Sequence, residues 1–538
     1  MAAEKLFLNA DLVTLDLHRP EADACLVHGD RFRAVGSEAE LRRLTASGAE
    51  VVDLGGKTVL PGFIETHNHL SIYALSLGLL DCSPYANAGL ADLKARIKAA
   101  AGKTGAGQWI VGWGYDDTLV AEARHLHRRD LDEAAPDHPV FIFHISWHLA
   151  YGNSLALKIS GISRDTPQPA GGEIHRDERG EPTGLLLEPG AMFLAAGHLP
   201  KADAAVYRSL LPEAVARFNR EGVTSVHDGG VGALHGREVV QAYRSLEIEG
   251  RLNLRVYLTM LHDFHDRFLE LGLGRGFGSD YLKIGAVKLL QDGSIQGLTA
   301  ALTEDYHNRP GFRGWTIRSQ QDLDDLALKY HGQGLQIAIH ANGDAAIESA
   351  ITALERAQDR HPQPPLRHMI IHCQMASDNH LRRMKILGLI PSYFANHVYY
   401  WGDRHLDLFL GPRRAARLNP LAGSVRADLP FTLHADTPVT PVSPLASIHN
   451  AVNRLTRNGT RLGPEERISP LEAIKAYTVN AAYCSFEEAS KGSLSPGKLA
   501  DFVVLDKNPL KVNPAEIKDI KIEMTVVGGR TVFSSALP

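Results

Sequence analysis

Apolar and polar positions alternate in short blocks at both ends of the chain. Lys5–Asp16 (KLFLNADLVTLD) and Cys25–Val35 (CLVHGDRFRAV) carry β-type apolar residues around an HGD turn. Near the C-terminus, Asp501–Leu505 (DFVVL) and Ile522–Phe533 (IEMTVVGGRTVF) do the same, with Gly528-Gly529 placed as a hairpin turn. An isolated hairpin is marginal in water. The two ends are therefore expected to meet in one small discontinuous β-sandwich, residues 1–57 with 491–538, with the rest of the chain inserted between them.

The pattern changes in the middle. Eight short apolar runs read as strands: Val59–Glu65, Val223–Asp228, Leu254–Met260, Leu282–Leu290, Leu335–His340, His368–His372, Leu387–Ser392 and Phe431–Ala435. Stretches with helical spacing, such as Asp322–Tyr330 and Ala345–Ala357, separate several of them. Strand–helix alternation predicts a parallel sheet covered by helices. Eight units predict an α/β architecture, a TIM-like (β/α)8 barrel over residues 58–490. The first two strands are about 150 residues apart, too far for one connection. Within that gap Trp109–Asp117, Pro139–Leu157 and Gly171–Glu188 read as partly β and aromatic. Residues 72–205 are accordingly expected to form an inserted lid or substrate subdomain.

Composition narrows the function classes. The chain has 538 residues, 44% hydrophobic and 22% charged, as in a folded globular protein. With 57 Lys and Arg against 62 Asp and Glu, nothing favours nucleic-acid binding through a basic surface. No apolar run reaches the ~18 residues that span a bilayer, and Met1–Val13 lacks the pattern of a signal peptide. Cys25, Cys82, Cys373 and Cys484 are too few and scattered for a disulfide framework or a Cys-rich zinc site, so a cytoplasmic location is expected. The compositional outlier is the 26 histidines. Histidine is the commonest metal ligand and a frequent acid–base residue.

Several of these histidines stand at strand ends. Leu60–Leu70 (LPGFIETHNHL) closes the first strand with His67 and His69. Residues i and i+2 of a strand share a face, so both imidazoles can reach one metal. A histidine pair in a surface loop is the plainer alternative. His340 ends LQIAIH before ANGD, His372 ends HMIIH, and Asp436 follows FTLHA. In a barrel all such ends lie on the active face. Together they supply imidazole and carboxylate, ligands that suit zinc, iron, nickel or manganese. Lys288 lies within the apolar run KIGAVKLLQDG, where a charged amine is costly to bury. It either snorkels outward, pairs with Asp292 or Glu304, or reacts as a neutral amine with carbon dioxide to give an anionic carbamate ligand. Burial near metals favours the neutral amine.

Trp113, Tyr115, Asp116, His148 and Asn153 of the insertion, and Tyr399, Tyr400 and Trp401 after the seventh strand, are candidates to wall a substrate pocket. For each aromatic residue the alternative is a place in the core. His227 and Asp228 end the second strand, Asp344 closes ANGD, and His434 precedes Asp436; these are candidates to support the ligands. His125, His127, His144 and His175 have no such placement and are expected to be structural or superficial. The pair Asp116-Asp117 lacks a second carboxylate placed for sugar chemistry.

LPGFIETHNHL, VKLLQDGS, IAIHANGDAA, MIIHCQ, HADTPVTPVSP and LSPGKLADFVVLD resemble the amidohydrolase superfamily, and within it the YtcJ-like branch (amidohydrolase family 3) that includes N-substituted formamide deformylases. GQWIVGWGYDD, RRDLDEAAPDHPVFIF, WHLAYGNSLAL and GGEIHRDERGEPTGLLLE extend the resemblance into the insertion, so it covers nearly the whole chain. It is specific for the family and not for a substrate. It implies a metal-dependent hydrolase barrel with a β-sandwich. His67, His69 and Asp436 would hold one metal, His340 and His372 a second, and carboxylated Lys288 would bridge them. Zinc is the expected metal, one or two per chain. HADTP departs from relatives that often have Gly-Ser before the Asp.

The implied reaction is attack of a metal-activated water on an amide, N-substituted formamide or cyclic amide of a small molecule, with Asp436 as general base. Ester, lactone, lyase or isomerase chemistry on the same site is one alternative. A degenerate, non-catalytic binding or regulatory barrel is another. A homodimer is compatible with the sequence, and no residue demonstrates one.

Overall fold

The computed structural model describes residues 4–536. An eight-stranded sheet forms its centre, from Phe63–Asn68, Val223–Val231, Arg255–Leu261, Leu282–Leu290, Ile337–Ala341, Met369–His372, Ile390–Tyr393 and Thr432–Leu433. Neighbours in space are neighbours in this series, and every pair is parallel. Parallel pairing demands a crossover after each strand. Helices such as Arg237–Ile248, Gln320–Gly332 and Asp344–Arg360 supply it. Leu246, Leu323, Ile347, Ile351 and Leu354 on those helices pack with Val226, Val256 and Ile339 of the strands in one large apolar cluster. Strands covered on both faces read as continuous apolar runs, which is why the eight segments are visible in the sequence.

The first and eighth strands close the ring without a hydrogen-bonded ladder among the described residues. Isolated bonds join them instead. Thr66 Oγ1 lies 2.9 Å from Thr432 Oγ1. The Ala435 N–H donates to Glu65 Oε1 (3.0 Å) and the Asp436 N–H to the His67 carbonyl (3.2 Å).

Both chain ends build two further sheets. One has four strands, Glu4–Leu8, Ala24–His28, Arg31–Gly36 and Glu50–Asp53; the other has six, Asp11–Val13, Glu21–Ala22, Thr58–Pro61, Phe502–Leu505, Ile522–Val527 and Arg530–Ser534. Phe7, Val27 and Phe32 of the first and Leu12, Val59, Phe502 and Val526 of the second share an apolar cluster. The run Val59–Glu65, expected as a single barrel strand, is two strands. Thr58–Pro61 lies between Asp11–Val13 and Phe502–Leu505 in the outer sheet, and the barrel begins at Phe63. Gly62 is the switch. Its N–H donates to the Asp501 carbonyl (3.0 Å), and the next N–H, of Phe63, to the Gly222 carbonyl (3.1 Å). A Cβ at position 62 would lie 2.3 Å from the Thr224 side chain.

Between the first two barrel strands a second six-stranded sheet forms from Leu80–Asp81, Ile110–Tyr115, Val140–His144, Leu149–Gly152, Glu173–Arg176 and Pro182–Leu187. It carries its own apolar clusters. The helix Leu70–Ser76 still places Leu70 and Ala74 in the barrel cluster. The first strand of the inserted sheet begins at Leu80. The helix Ala204–Arg220 returns the chain to the barrel. Among the described residues no helix is long and apolar enough to cross a membrane.

A buried ion pair ties the outer sheets to the barrel. Arg255 Nε and Nη2 donate to the Asp501 carboxylate at 2.6 and 2.9 Å, and the Gly528 N–H adds a third bond at 2.8 Å. Both side chains are almost fully enclosed. Removing one partner leaves the other charge buried and uncompensated, so Asp501→Ala is expected to cost about 3–5 kcal/mol in denaturant unfolding. The double replacement Arg255→Met with Asp501→Leu is expected to cost less than that single change. A single-variant loss below about 1 kcal/mol, the range of exposed pairs, would show that the pair is not a tie.

Candidate metal centre

The closing seam of the barrel brings three ligand-type side chains together. His67 lies in the strand Phe63–Asn68 and His69 just beyond it, at the cap of the helix Leu70–Ser76. Their Nε2 atoms lie 3.4 and 3.3 Å from Asp436 Oδ1. His69 Nδ1 is 2.6 Å from the Gly229 carbonyl. That contact fixes the proton on Nδ1 and leaves Nε2 with a lone pair aimed at Asp436. Gly229 is required for a second reason: a Cβ there would come within 2.7 Å of the His67 ring. The backbone locks the group further, since the His69 N–H donates to the Thr437 carbonyl (2.8 Å). Asp436 Oδ1 has no hydrogen-bond partner among the described residues. A carboxylate oxygen facing the His69 lone pair has no donor there, and the group of His67, His69 and Asp436 could hold a cation. Burial raises the Asp436 carboxyl, but His69, His434 and Lys288 outweigh it and hold it below the usual range.

His340 and His372, from the fifth and sixth strands, stand beside this group. His340 Nδ1 and His372 Nε2 are 3.0 Å apart, and the His67 and His372 rings are 5.2 Å apart edge to face. His340 Nε2 lies 3.0 Å from the Gly293 carbonyl, which places its proton there and frees Nδ1. His372 Nδ1 is 3.1 Å from His434 Nε2, and His434 Nδ1 is 2.9 Å from Ser392 Oγ. His434 thus contacts His372 by hydrogen bond rather than Asp436. Burial pushes His67, His340 and His372 well below the ordinary imidazole range, so they are neutral and able to ligate.

Lys288, from the fourth strand, is 2% exposed, and its Nζ has no hydrogen-bond partner among the described residues. It neither snorkels nor pairs with Asp292 or Glu304. Burial lowers its pKa to about 7, against a smaller upward pull from Asp436. Three non-glycine residues of the centre have left-handed backbones: Glu188 (φ 61), His372 (φ 69) and Asp436 (φ 54). Such strain gathers where the surroundings fix a functional geometry.

The insertion reaches the centre through His148. Its ring lies 4.9 Å from that of His340, and its Nδ1 lies 2.7 Å from Glu188 Oε2. Burial lowers the His148 pKa, but the Glu188 carboxylate overrides it and raises it above the ordinary value. Gly293 accommodates this pair, because a Cβ there would lie 1.9 Å from Glu188 Oε1. Asp292 underpins the other side. It accepts the N–H groups of Asn342 (2.9 Å), Gly343 (2.8 Å) and Ala301 (3.0 Å), and burial raises its pKa to about 7. The sequence pattern did not single out Glu188, and offered Asp292 only as a candidate partner of Lys288. The available signal was an acidic residue closing an apolar run, in GLLLE and KLLQD.

Other candidates lie elsewhere. Asn153 caps the helix Ser154–Ile159, accepting the Ala156 N–H (2.9 Å) and donating to the His138 carbonyl (2.8 Å), so its amide is spent within the insertion. Tyr115 is buried and donates to the Arg124 carbonyl (2.7 Å). Trp113 stacks on Trp147, 6.5 Å between centroids, within the insertion cluster. Asp116 is paired with Arg404 at 3.2 Å. With Asp117 and His144 it forms a second group of ligand-type atoms, but Arg404 already neutralises it. Tyr399 meets Tyr400 edge to face, whereas Trp401 packs on Phe394, which stacks on His434. Asp344 accepts the Thr303 N–H (2.9 Å), away from the ligands, and Asp292 takes the supporting place expected of it. His227 lies against Tyr257, 4.6 Å between rings, without a polar partner among the described residues. Asp228 accepts from Tyr243 (2.8 Å) and the Ser71 N–H (3.3 Å), which anchors the helix that follows His69.

The Amidohydrolase family profile matches residues 50–533. N-substituted formamide deformylase of Arthrobacter pascens is 31% identical over 536 residues, covering 97% of each chain. YtcJ of Bacillus subtilis (strain 168) is 30% identical over 525 residues, covering 96% of each. The crystal structure of an uncharacterized metal-dependent hydrolase from Pyrococcus horikoshii OT3 superposes with a TM-score of 0.77 at 25% identity, over 95% of this chain and 99% of that one. Likeness of this extent, in sequence and in fold, shows that this hydrolase belongs to the Amidohydrolase family.

Proposed function

We propose that the protein cleaves a carbon–nitrogen bond of a small amide, an N-substituted formamide or a cyclic amide with the help of a divalent metal. The observation that carries the reading is the convergence of Asp436 Oδ1, which has no hydrogen-bond partner among the described residues, with the Nε2 atoms of His67 and His69 at 3.4 and 3.3 Å. A deformylase among its relatives supports an amide as the substrate. The nitrogen and oxygen donors fit zinc. His67, His69 and Asp436 would hold one ion, and His340 and His372 a second. Lys288 joins them after its neutral amine adds carbon dioxide and loses one proton, which makes it an anionic oxygen ligand.

When bound, the metal supplies an activated water and a Lewis acid for the carbonyl. The protein's own groups do the rest. The Asp436 carboxylate takes the proton of the attacking water and returns it to the leaving nitrogen. His148, held by Glu188, donates a hydrogen bond to the carbonyl oxygen as its charge grows. Ile145, Phe394, Trp401 and Val439 form an apolar cluster that keeps bulk water off the centre. In this reading the two outer sheets are the β-sandwich domain and the inserted sheet is the substrate subdomain.

Four outcomes test the reading. Elemental analysis of Lys288→Ala, expressed with zinc and bicarbonate, is expected to give about half the wild-type metal or less, because the bridge is gone. Unchanged metal content would remove the carbamate. The amine is neutral only above about 7, so bicarbonate-dependent metal loading is expected to rise between about pH 6 and about pH 8. Asp436→Asn is expected to lower kcat on an amide panel at least about 100-fold, as loss of an acid–base residue does. Gly293→Ala, which displaces Glu188, is expected to lower kcat about 100-fold with metal content intact. Full activity in either of these two variants would overturn the role given to that group.

A further inference from the structure

A cavity of about 910 Å³ lies between the inserted sheet and the loops after the second and third barrel strands. That volume suits a small organic ligand. Trp109, Phe143 and Trp147 line it from the insertion, and Leu234 and Phe264 from the barrel. Lys201, Arg237 and Arg267 also line it, and none of them is in an ion pair among the described residues. Two carboxylates line it as well, Glu238 and Asp263, the latter 2.8 Å from His262 Nδ1. Three cations face two carboxylates, so the cavity joins an aromatic body to a wall that keeps a small net positive charge.

The wall is built rather than incidental. Phe264 rests on two glycines: a Cβ at Gly232 or at Gly236 would come within 2.6 Å of its side chain. Gly232 also has φ +106, a backbone few other residues adopt. Between them His235 is pinned by the Tyr207 hydroxyl (2.9 Å) and the Ala202 N–H (3.3 Å).

The cavity and the metal centre share two stretches of chain. Gly229 holds His69, Gly230 lies against the His69 ring, and Gly232, two residues on, lines the cavity. On the opposite side Trp147 lines the cavity, while its neighbour His148 lies on His340. Trp147 has φ 58, which turns the chain sharply between the two side chains. His69 is also the most open of its group, its side chain 21% exposed against 2% for His67.

We propose that this cavity takes the substituent of the amide substrate, an apolar aryl or arylalkyl group that ends in an anionic group such as a carboxylate. The proposal rests on the amide-hydrolase reading and names the substrate class for the same site. Arginine recognises carboxylate through paired N–H donors, and the aromatic walls receive the body.

The test is binding, read as quenching of tryptophan fluorescence, of 4-phenylbutanoate and its neutral analogue 4-phenylbutanol. The carboxylate is expected to bind at least ten-fold more tightly. Arg237→Gln with Arg267→Gln is expected to abolish that preference and leave alcohol binding unchanged. Leu234→Trp, which fills the cavity, is expected to abolish both. Circular dichroism and melting temperature verify that each variant is folded. Equal binding of the two probes, or full binding by Leu234→Trp, would overturn the proposal. Turnover of 4-(2-acetamidoethyl)benzoate against N-(2-phenylethyl)acetamide separates it from the reading beneath it. Binding preference with neither amide cleaved leaves the pocket standing and counts against amide hydrolysis. Cleavage of both with equal kcat/KM supports hydrolysis and overturns the pocket.

Discussion

The hydrogen bond from the Asp436 N–H to the His67 carbonyl joins the last barrel strand to the first. Without it, and without the bond from the Ala435 N–H to Glu65, the eighth strand has little hold on the first, because it is only two residues long there. The same few atoms that shut the barrel bring Asp436 onto His67 and His69. Closure and assembly of the ligand group are one event in this fold. Residues separated by more than 360 positions meet because a sheet of eight parallel strands curls until its edges touch.

Electrostatics explains why the centre is so heavily scaffolded. Neutral imidazoles, a carboxylate and an amine are gathered where little water reaches, and each loses hydration. The protein answers with directed bonds on the far side of each ligand: Gly229 on His69, Gly293 on His340, His434 and then Ser392 on His372. The two carbonyls set the tautomers of His69 and His340 and turn a lone pair of each inward. Among the described residues Lys288 Nζ and Asp436 Oδ1 are left without hydrogen-bond partners at the middle, as they would be in an arrangement completed by cations.

The insertion does more than cover this centre. His148 with Glu188 joins it, Asp116 with Arg404 clamps the insertion to the helix after the seventh strand, and Ile145 packs on Phe394 and Trp401. These contacts fix the insertion against the centre. Gly293 keeps the approach between barrel and insertion close where a methyl group would strike Glu188, while Gly229, Gly232 and Gly236 leave room for His67 and Phe264 within the barrel.

The eight strands and the terminal sheets were legible in the sequence because burial on both faces writes continuous apolar runs, and hairpins mark their turns with glycine. The ligand-type residues were legible because polar side chains at the ends of such runs have few other reasons to be there. What the sequence did not display was partnership. The switch at Gly62 from outer sheet to barrel depends on neighbours more than 150 residues away, Thr224 and Asp501. Glu188 and Asp292 look in sequence like carboxylates at the end of a strand; only the folded chain sets one on His148 and the other beneath His340. Tyr115 and Asn153 look like pocket residues, and packing turns one into core and the other into a helix cap. Local periodicity records whether a position is buried. Which distant group it is buried against is decided when the strands close and the insertion docks, since that depends on three-dimensional register rather than on spacing along the chain.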